Sequence, residues 1–302
     1  MMDYLTLPEL RAKVWPDLES IKMHSIFGIE NVLRVIESWP IGKLHNTALL
    51  NRRIPGRCIE RLLEVHSGSL REVDLSHIQE APRKWIHRFL ELCPSLERVK
   101  CQAINMQPLV EEDRPPWVCD RLQEWAIYID MDPRSFIPPG TLGNPSERQE
   151  KWCRRVFERL GRLRQLRVLD LRMRAVRNRD GIWSFEPKES QQLHLSLQMG
   201  LGELGRLHKL KEVYFQGRQT LMRRNDVQWM VEHWVNLEKI QGNGFSTRRE
   251  AFAGKKHVWD WEYCRMFGEH HVKAGSESPG YPSNYLNPQQ IERLTVTSDE
   301  SF

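Results

Sequence analysis

His257, Cys264, His270 and His271 are the nearest approach to a metal cluster in this sequence. Imidazole and thiolate are zinc ligands, yet zinc sites space their ligands in tight recurring pairs, and this spacing fits no recognised arrangement. Packing and solvent exposure are the expected roles of these four. The stretch GLGELG, from Gly200 to Gly205, has the glycines of a dinucleotide loop. It is expected inside a helix that leads into a strand, whereas a pyrophosphate cradle needs strand, turn and helix in that order. The chain holds no GxSxG elbow, no Walker-type loop and no HExxH. Nucleophilic, phosphoryl-transfer and metalloprotease chemistry therefore lack their minimum signature. We expect no catalytic residue, no cofactor and no bound metal.

Charge offers a different possibility. The net charge is +5, but between Glu147 and Arg179 twelve Lys or Arg stand against four acids. Such a run either neutralises nucleic-acid phosphates or is the solvated face of a helix and loop. Arg154, Arg155, Arg159 and Arg162 interleave with Val156, Phe157, Leu160 and Leu163, as an amphipathic outer helix requires, and we expect the helix face. The six cysteines (Cys58, Cys93, Cys101, Cys119, Cys153, Cys264) include no CxxC pair, so reduced thiols are expected. No stretch has the roughly 18 to 20 apolar residues of a membrane span, and the N-terminal residues, with Asp3 and no apolar run, are not expected to act as a signal peptide. An intracellular protein, cytoplasmic or nuclear, with no membrane partner is expected.

The elements that would position any site come from a repeat. LESIKM, LHNTAL, LREVDL, LERVKC and LQEWAI begin at Leu18, Leu44, Leu70, Leu96 and Leu122, a spacing of 26 residues four times running. LRVLDL, LKEVYF and LEKIQG follow from Leu166, Leu210 and Leu237, at spacings of 44, 44 and 27. Apolar residues at positions one, four and six, as in Leu70, Val73 and Leu75, predict a short strand with one inward face. Ahead of the strands lie helical patterns: Val32, Leu33 and Ile36; Ile59, Leu62 and Leu63; Ile86, Phe89 and Leu90; Phe157, Leu160 and Leu163; Val227, Met230, Val231 and Trp234. Trp39, Trp85, Trp125, Trp229 and Trp234 occupy apolar repeat positions and are expected in the core.

A helix-strand unit of about 26 residues cannot cover its own apolar face, so successive units must stack, strand beside parallel strand. With junctions such as Cys93-Pro94-Ser95-Leu96, the chain resembles the leucine-rich-repeat family of the ribonuclease-inhibitor type, and most of all the repeat regions of fungal F-box proteins. The resemblance implies an α/β solenoid of about eight repeats, a horseshoe with parallel strands on the concave face and helices on the convex one. Position nine departs from the family: it is Ile at Ile26, Ile78 and Ile104 and charged at Asp130, Arg174 and Arg218. The usual ladder of Asn or Cys side chains is missing there.

The solenoid is expected to span 1–244, with insertions near 131–150 and 174–195, the second carrying Trp183 and Phe185. Residues 245–272, with His257 to Phe267 rich in aromatics, are expected to cap the last repeat. Residues 273–302, rich in Gly, Ser and Pro, are expected to be a disordered tail. The chain is expected to begin inside a repeat, as a truncated gene reading or as a repeat-only relative, with no F-box of its own.

By strand alternation, positions three and five face the concave solvent. Lys22, Asp74, Arg98, Lys100, Glu124, Asp170 and Tyr214 at those positions, with Tyr128 and Arg172 at position seven, are the residues expected to hold a partner, and the insertion adds Trp183 and Phe185. Mixed charge with aromatic anchors suits selective protein recognition, and a shallow curved sheet encloses no small molecule. The expected function is a non-enzymatic protein-interaction scaffold. The resemblance implies substrate recognition for a cullin-type ubiquitin ligase, with ligase subunits as partners. The alternative is a nucleic-acid-associated repeat protein acting through residues 148–179.

Overall fold

This computed structural model describes residues 19–23, 29–49, 54–76, 78, 82–111, 113–131, 145–172, 176–177, 183–184, 193–215, 223–242, 266 and 273–275. Nine strands form one sheet: β1 (Ser20–Met23), β2 (Asn46–Leu49), β3 (Glu72–Leu75), β4 (Arg98–Asn105), β5 (Glu124–Asp130), β6 (Val168–Asp170), β9 (Glu212–Phe215), β10 (Lys239–Gly242) and β11 (Lys273–Gly275). They lie side by side in chain order, and all eight pairings are parallel. A separate antiparallel pair, β7 (Val176–Arg177) and β8 (Trp183–Ser184), lies within the second insertion. Helices α1 (Ile29–Ser38), α2 (Gly56–His66), α3 (Pro82–Leu92), α4 (Gln107–Val110), α5 (Pro145–Leu160) and α6 (Arg224–His233), with a 3₁₀ helix at Leu201–Arg206, alternate with the strands.

The apolar positions of the repeat account for the core. Val73, Leu75, Val99, Trp125, Ile127, Leu169, Val213 and Ile240 are fully buried, and so are Ile59, Ile86, Phe89, Phe157, Leu160, Val227 and Met230 from the helices. Consecutive helices α1 and α2, α2 and α3, and α4 and α5 touch one another. They therefore cover one face of the sheet and leave the other to the alternate strand residues.

One junction recurs seven times. The position-two carbonyls of Glu19, His45, Arg71, Glu97, Gln123, Arg167 and Lys211 each accept two amides from the next unit, at 2.7–3.1 Å. Both amides belong to positions two and three, so each unit is locked onto the last at the same point whether 26, 27 or 44 residues intervene. The ladder absent from position nine is replaced in part at the residue before the first leucine. Ser69 Oγ donates to the Leu44 carbonyl at 2.9 Å, Ser95 Oγ to that of Gly68 at 3.0 Å, and Asn236 Nδ2 to that of His208 at 2.6 Å. At position nine, Ile78 and Ile104 are instead fully buried in the core.

The structure corrects two boundaries. Helix α5 begins at Pro145, inside the expected loop, because proline's fixed φ and missing N–H suit a first helical turn. Lys273–Gly275, assigned from sequence to a disordered tail, forms β11, where its backbone meets the edge groups that β10 would otherwise leave unpaired. Met266 also packs on the core. The remaining residues expected to form the cap and tail lie outside the described residues, as do His257, Cys264, His270 and His271. The GLGELG stretch lies on the 3₁₀ helix ahead of β9 and follows a loop. It lacks the order of a dinucleotide site.

Candidate partner-binding face

Register turns the alternate strand residues into two rows across the open face. The first runs Ser20, Asn46, Glu72, Arg98, Glu124, Val168, Glu212 and Lys239; the second runs Lys22, Ala48, Asp74, Lys100, Ala126, Asp170, Tyr214 and Gln241. Neighbours in a row are about 4.8 Å apart, one strand spacing, so each charge is within reach of the next.

Charges on this face are largely matched within it. Arg98 pairs with Glu72 straight across the row at 3.2 Å, and Lys100 pairs diagonally with Glu124 at 3.2 Å. Asp74 Oδ1 accepts the Ser76 amide at 2.9 Å and its hydroxyl at 2.6 Å. Lys22, at the first strand, is exposed and has no ion pair among the described residues.

Toward the other end the face becomes aromatic. Arg172 Nε and Nη2 donate to the two oxygens of Asp170, each at 2.9 Å, while its guanidinium sits 4.2 Å from the Tyr214 ring centre. Lys239 Nζ lies 5.3 Å from the same ring, and the Tyr214 hydroxyl donates to Glu212. Burial opposes the charge on Arg172, but the hydrogen bonds and the negative charge of Asp170 together outweigh it and hold the guanidinium above its ordinary pKa. Burial and the Glu212 bond raise the Tyr214 phenol, so it remains a donor at neutral pH.

The expected residues do not all offer free side chains. Tyr128 is 4% exposed and Asp170 6%. β5 is buried without a break from Trp125 to Ile129, and Asp170 lies beneath its own Arg172. A bulge between Cys101 and Ala103 shifts the register, so Tyr128 stands opposite Ala103. The bulge also brings Gln102 into play, whose Nε2 donates to the Ser76 carbonyl at 2.7 Å. No spacing in the sequence singles Gln102 out. Trp183 lies on β8, its side chain is outside the described residues, and so is Phe185.

Titratable groups elsewhere are held by packing. His87 is 1% exposed and close to the Asn105 carbonyl without an ordinary hydrogen bond; burial, then Arg114, push its pKa down to about 3. Burial raises the Cys93, Cys119 and Cys153 thiols to about 12, and the five described cysteines are unbridged. Among the described residues no group of three potential ligands could hold a metal, and no helix is long and apolar enough to cross a membrane. In the basic run, Val156, Phe157 and Leu160 are buried while Arg154 is exposed, so α5 is amphipathic, and just beyond it Leu163 is buried and Arg162 exposed. Compared with protein-family models the chain matches none, and no curated protein matches it.

Proposed function

We propose that the chain is a leucine-rich-repeat solenoid acting as a non-enzymatic scaffold that holds a protein partner on the open face of its sheet. The observation carrying this reading is the pair of registered rows, in which mixed charges are fixed by neighbours one strand away and end on the Asp170, Arg172, Tyr214 and Lys239 group. Preorganised charge sets which partner fits, and an aromatic ring gripped by an arginine is the kind of anchor that holds most of an interface's affinity. The resemblance to F-box repeat regions supports a finer proposal, that the partner is a substrate presented to a cullin-type ubiquitin ligase.

Proximity labelling in the source cell, with wild type beside a Tyr214→Ala, Lys100→Glu variant and an Arg57→Glu control on the helical face, tests the scaffold. The expected result is a defined protein set kept by the control and lost by the open-face variant. Identical sets from all three would refute the open face as the site. Absence of ligase subunits from a set that is otherwise lost on mutation would remove the ubiquitin link and leave the scaffold.

A further inference from the structure

Because every strand is parallel and in chain order, all helix-to-strand junctions lie along one edge of the sheet, the edge where strands begin. Every exposed large hydrophobic side chain among the described residues falls there: Ile41 at 81% exposure, Val235 at 72%, Leu92 at 41% and Val118 at 39%. Isolated exposed apolar residues are common on protein surfaces; these share their edge with a group of cations.

The same junctions concentrate positive charge. Arg121, Arg162, Arg164, Arg167, Lys209 and Lys211 are all exposed. The repeat places Arg167 beside Lys211, in the pairing of their successive units. Lys211 pairs with Glu238 and Lys209 donates to Gln165, whereas Arg121, Arg162, Arg164 and Arg167 have no ion pair among the described residues. Arg162 instead faces the like charge of Arg159, whose pKa is lowered first by burial and then by Arg162. Unmatched cations that repel one another within the fold are stabilised by an external anion. A hollow of about 360 Å³ lined by Ile41, His45, Ser69 and Arg71 opens on this edge as well.

We infer that this edge docks on an anionic membrane surface, its arginines and lysines against lipid phosphates and its apolar side chains at the acyl boundary. Peripheral binding of this kind combines charge attraction with shallow apolar insertion. Nucleic acid would use the cations alone. Single-stranded binders add exposed rings for base stacking, and no described Trp, Tyr or Phe is exposed. The inference uses a surface separate from the open sheet face and stands or falls independently of it.

Co-sedimentation of the full chain with vesicles of phosphatidylserine and phosphatidylcholine, against phosphatidylcholine alone, tests it. Binding is expected only to the anionic vesicles, weakened by salt and at least about tenfold weaker for Arg164→Glu, Arg167→Glu, Lys209→Glu, all three on exposed positions. Ile41→Ser, Val235→Ser keeps the charge and is expected to weaken binding to the same vesicles, with circular dichroism unchanged in both variants. No binding by the wild type overturns the inference. So does binding that survives either variant, or a charge-dependent retention on RNA or acidic protein that exceeds retention on vesicles.

Discussion

The Arg172 guanidinium is shared between Asp170, which takes two of its hydrogen bonds at 2.9 Å, and Tyr214, whose ring centre lies 4.2 Å away. These side chains come from neighbouring strands separated by 44 residues of sequence, since Asp170 and Tyr214 are register partners.

Removing the guanidinium leaves the buried Asp170 carboxylate short of its charged partner. Arg172→Ala is expected to cost about 1–3 kcal/mol in urea unfolding, and Arg172→Lys to recover part of this, because an ammonium cannot form the bidentate pair. Equal stability of wild type and Arg172→Ala would mean that the partners Asp170 keeps, the Arg172 amide among them, already satisfy it.

Gly161 is a point of close approach. A Cβ there would lie 2.3 Å from the Glu203 carbonyl oxygen, a backbone atom that cannot turn aside, while one at Gly202 would meet nothing within 4 Å. Gly161→Ala is expected to destabilise by about 1–3 kcal/mol through overpacking. Gly202→Ala is expected to be near neutral, and thermal unfolding of the pair checks the contrast.

The ladder of junction side chains should behave as separate nearest-neighbour bonds. Ser69→Ala, Ser95→Ala and Asn236→Ala are each expected to lose about 0.5–1.5 kcal/mol. Ser69→Ala and Asn236→Ala, in distant units, should add in the double variant. A double variant no worse than either single would show that these bonds are not independent.

His87 should govern part of the acid response. With its folded pKa near 3 and an ordinary value of 6.5, the unfolded chain binds a proton between those limits that the folded chain does not. Its contribution is therefore complete above about 6.5 and declines as pH falls toward 3, the sense in which stability rises with pH. His66, lowered first by burial, acts in the same direction. His87→Gln is expected to flatten the stability slope in mildly acidic solution by up to about 1.4 kcal/mol per pH unit; an unchanged slope would place a proton on the buried ring.

Much of the architecture was legible in order. Leu70, Val73 and Leu75, and their counterparts at Leu96 and Leu210, mark strands by a pattern that survives insertions, because each strand needs only its own inward side chains. Helix α5 was legible for the same reason, from Val156, Phe157 and Leu160 among arginines. Tyr128 was expected to be open because alternation assigns a face but not its exposure, and β5 is buried on both faces from Trp125 to Ile129. The junction bonds of Ser69, Ser95 and Asn236 were not legible, since a serine or asparagine in a turn carries no apolar periodicity of its own. β11 was hidden because Lys273, Ala274 and Gly275 are poor strand formers that the β10 edge recruits.

The sequence by itself determined where strands fall, which side of each is apolar and the order in which they follow one another, because those depend on short-range periodicity and on apolar surface that a single unit cannot bury. Only the tertiary structure decided which charges meet: Arg98 with Glu72, Lys100 with Glu124, Arg172 with Asp170 and Tyr214. Those partners are fixed by register between chain segments and by local bulges. A shift of one residue in either sends a side chain to the opposite face of the sheet.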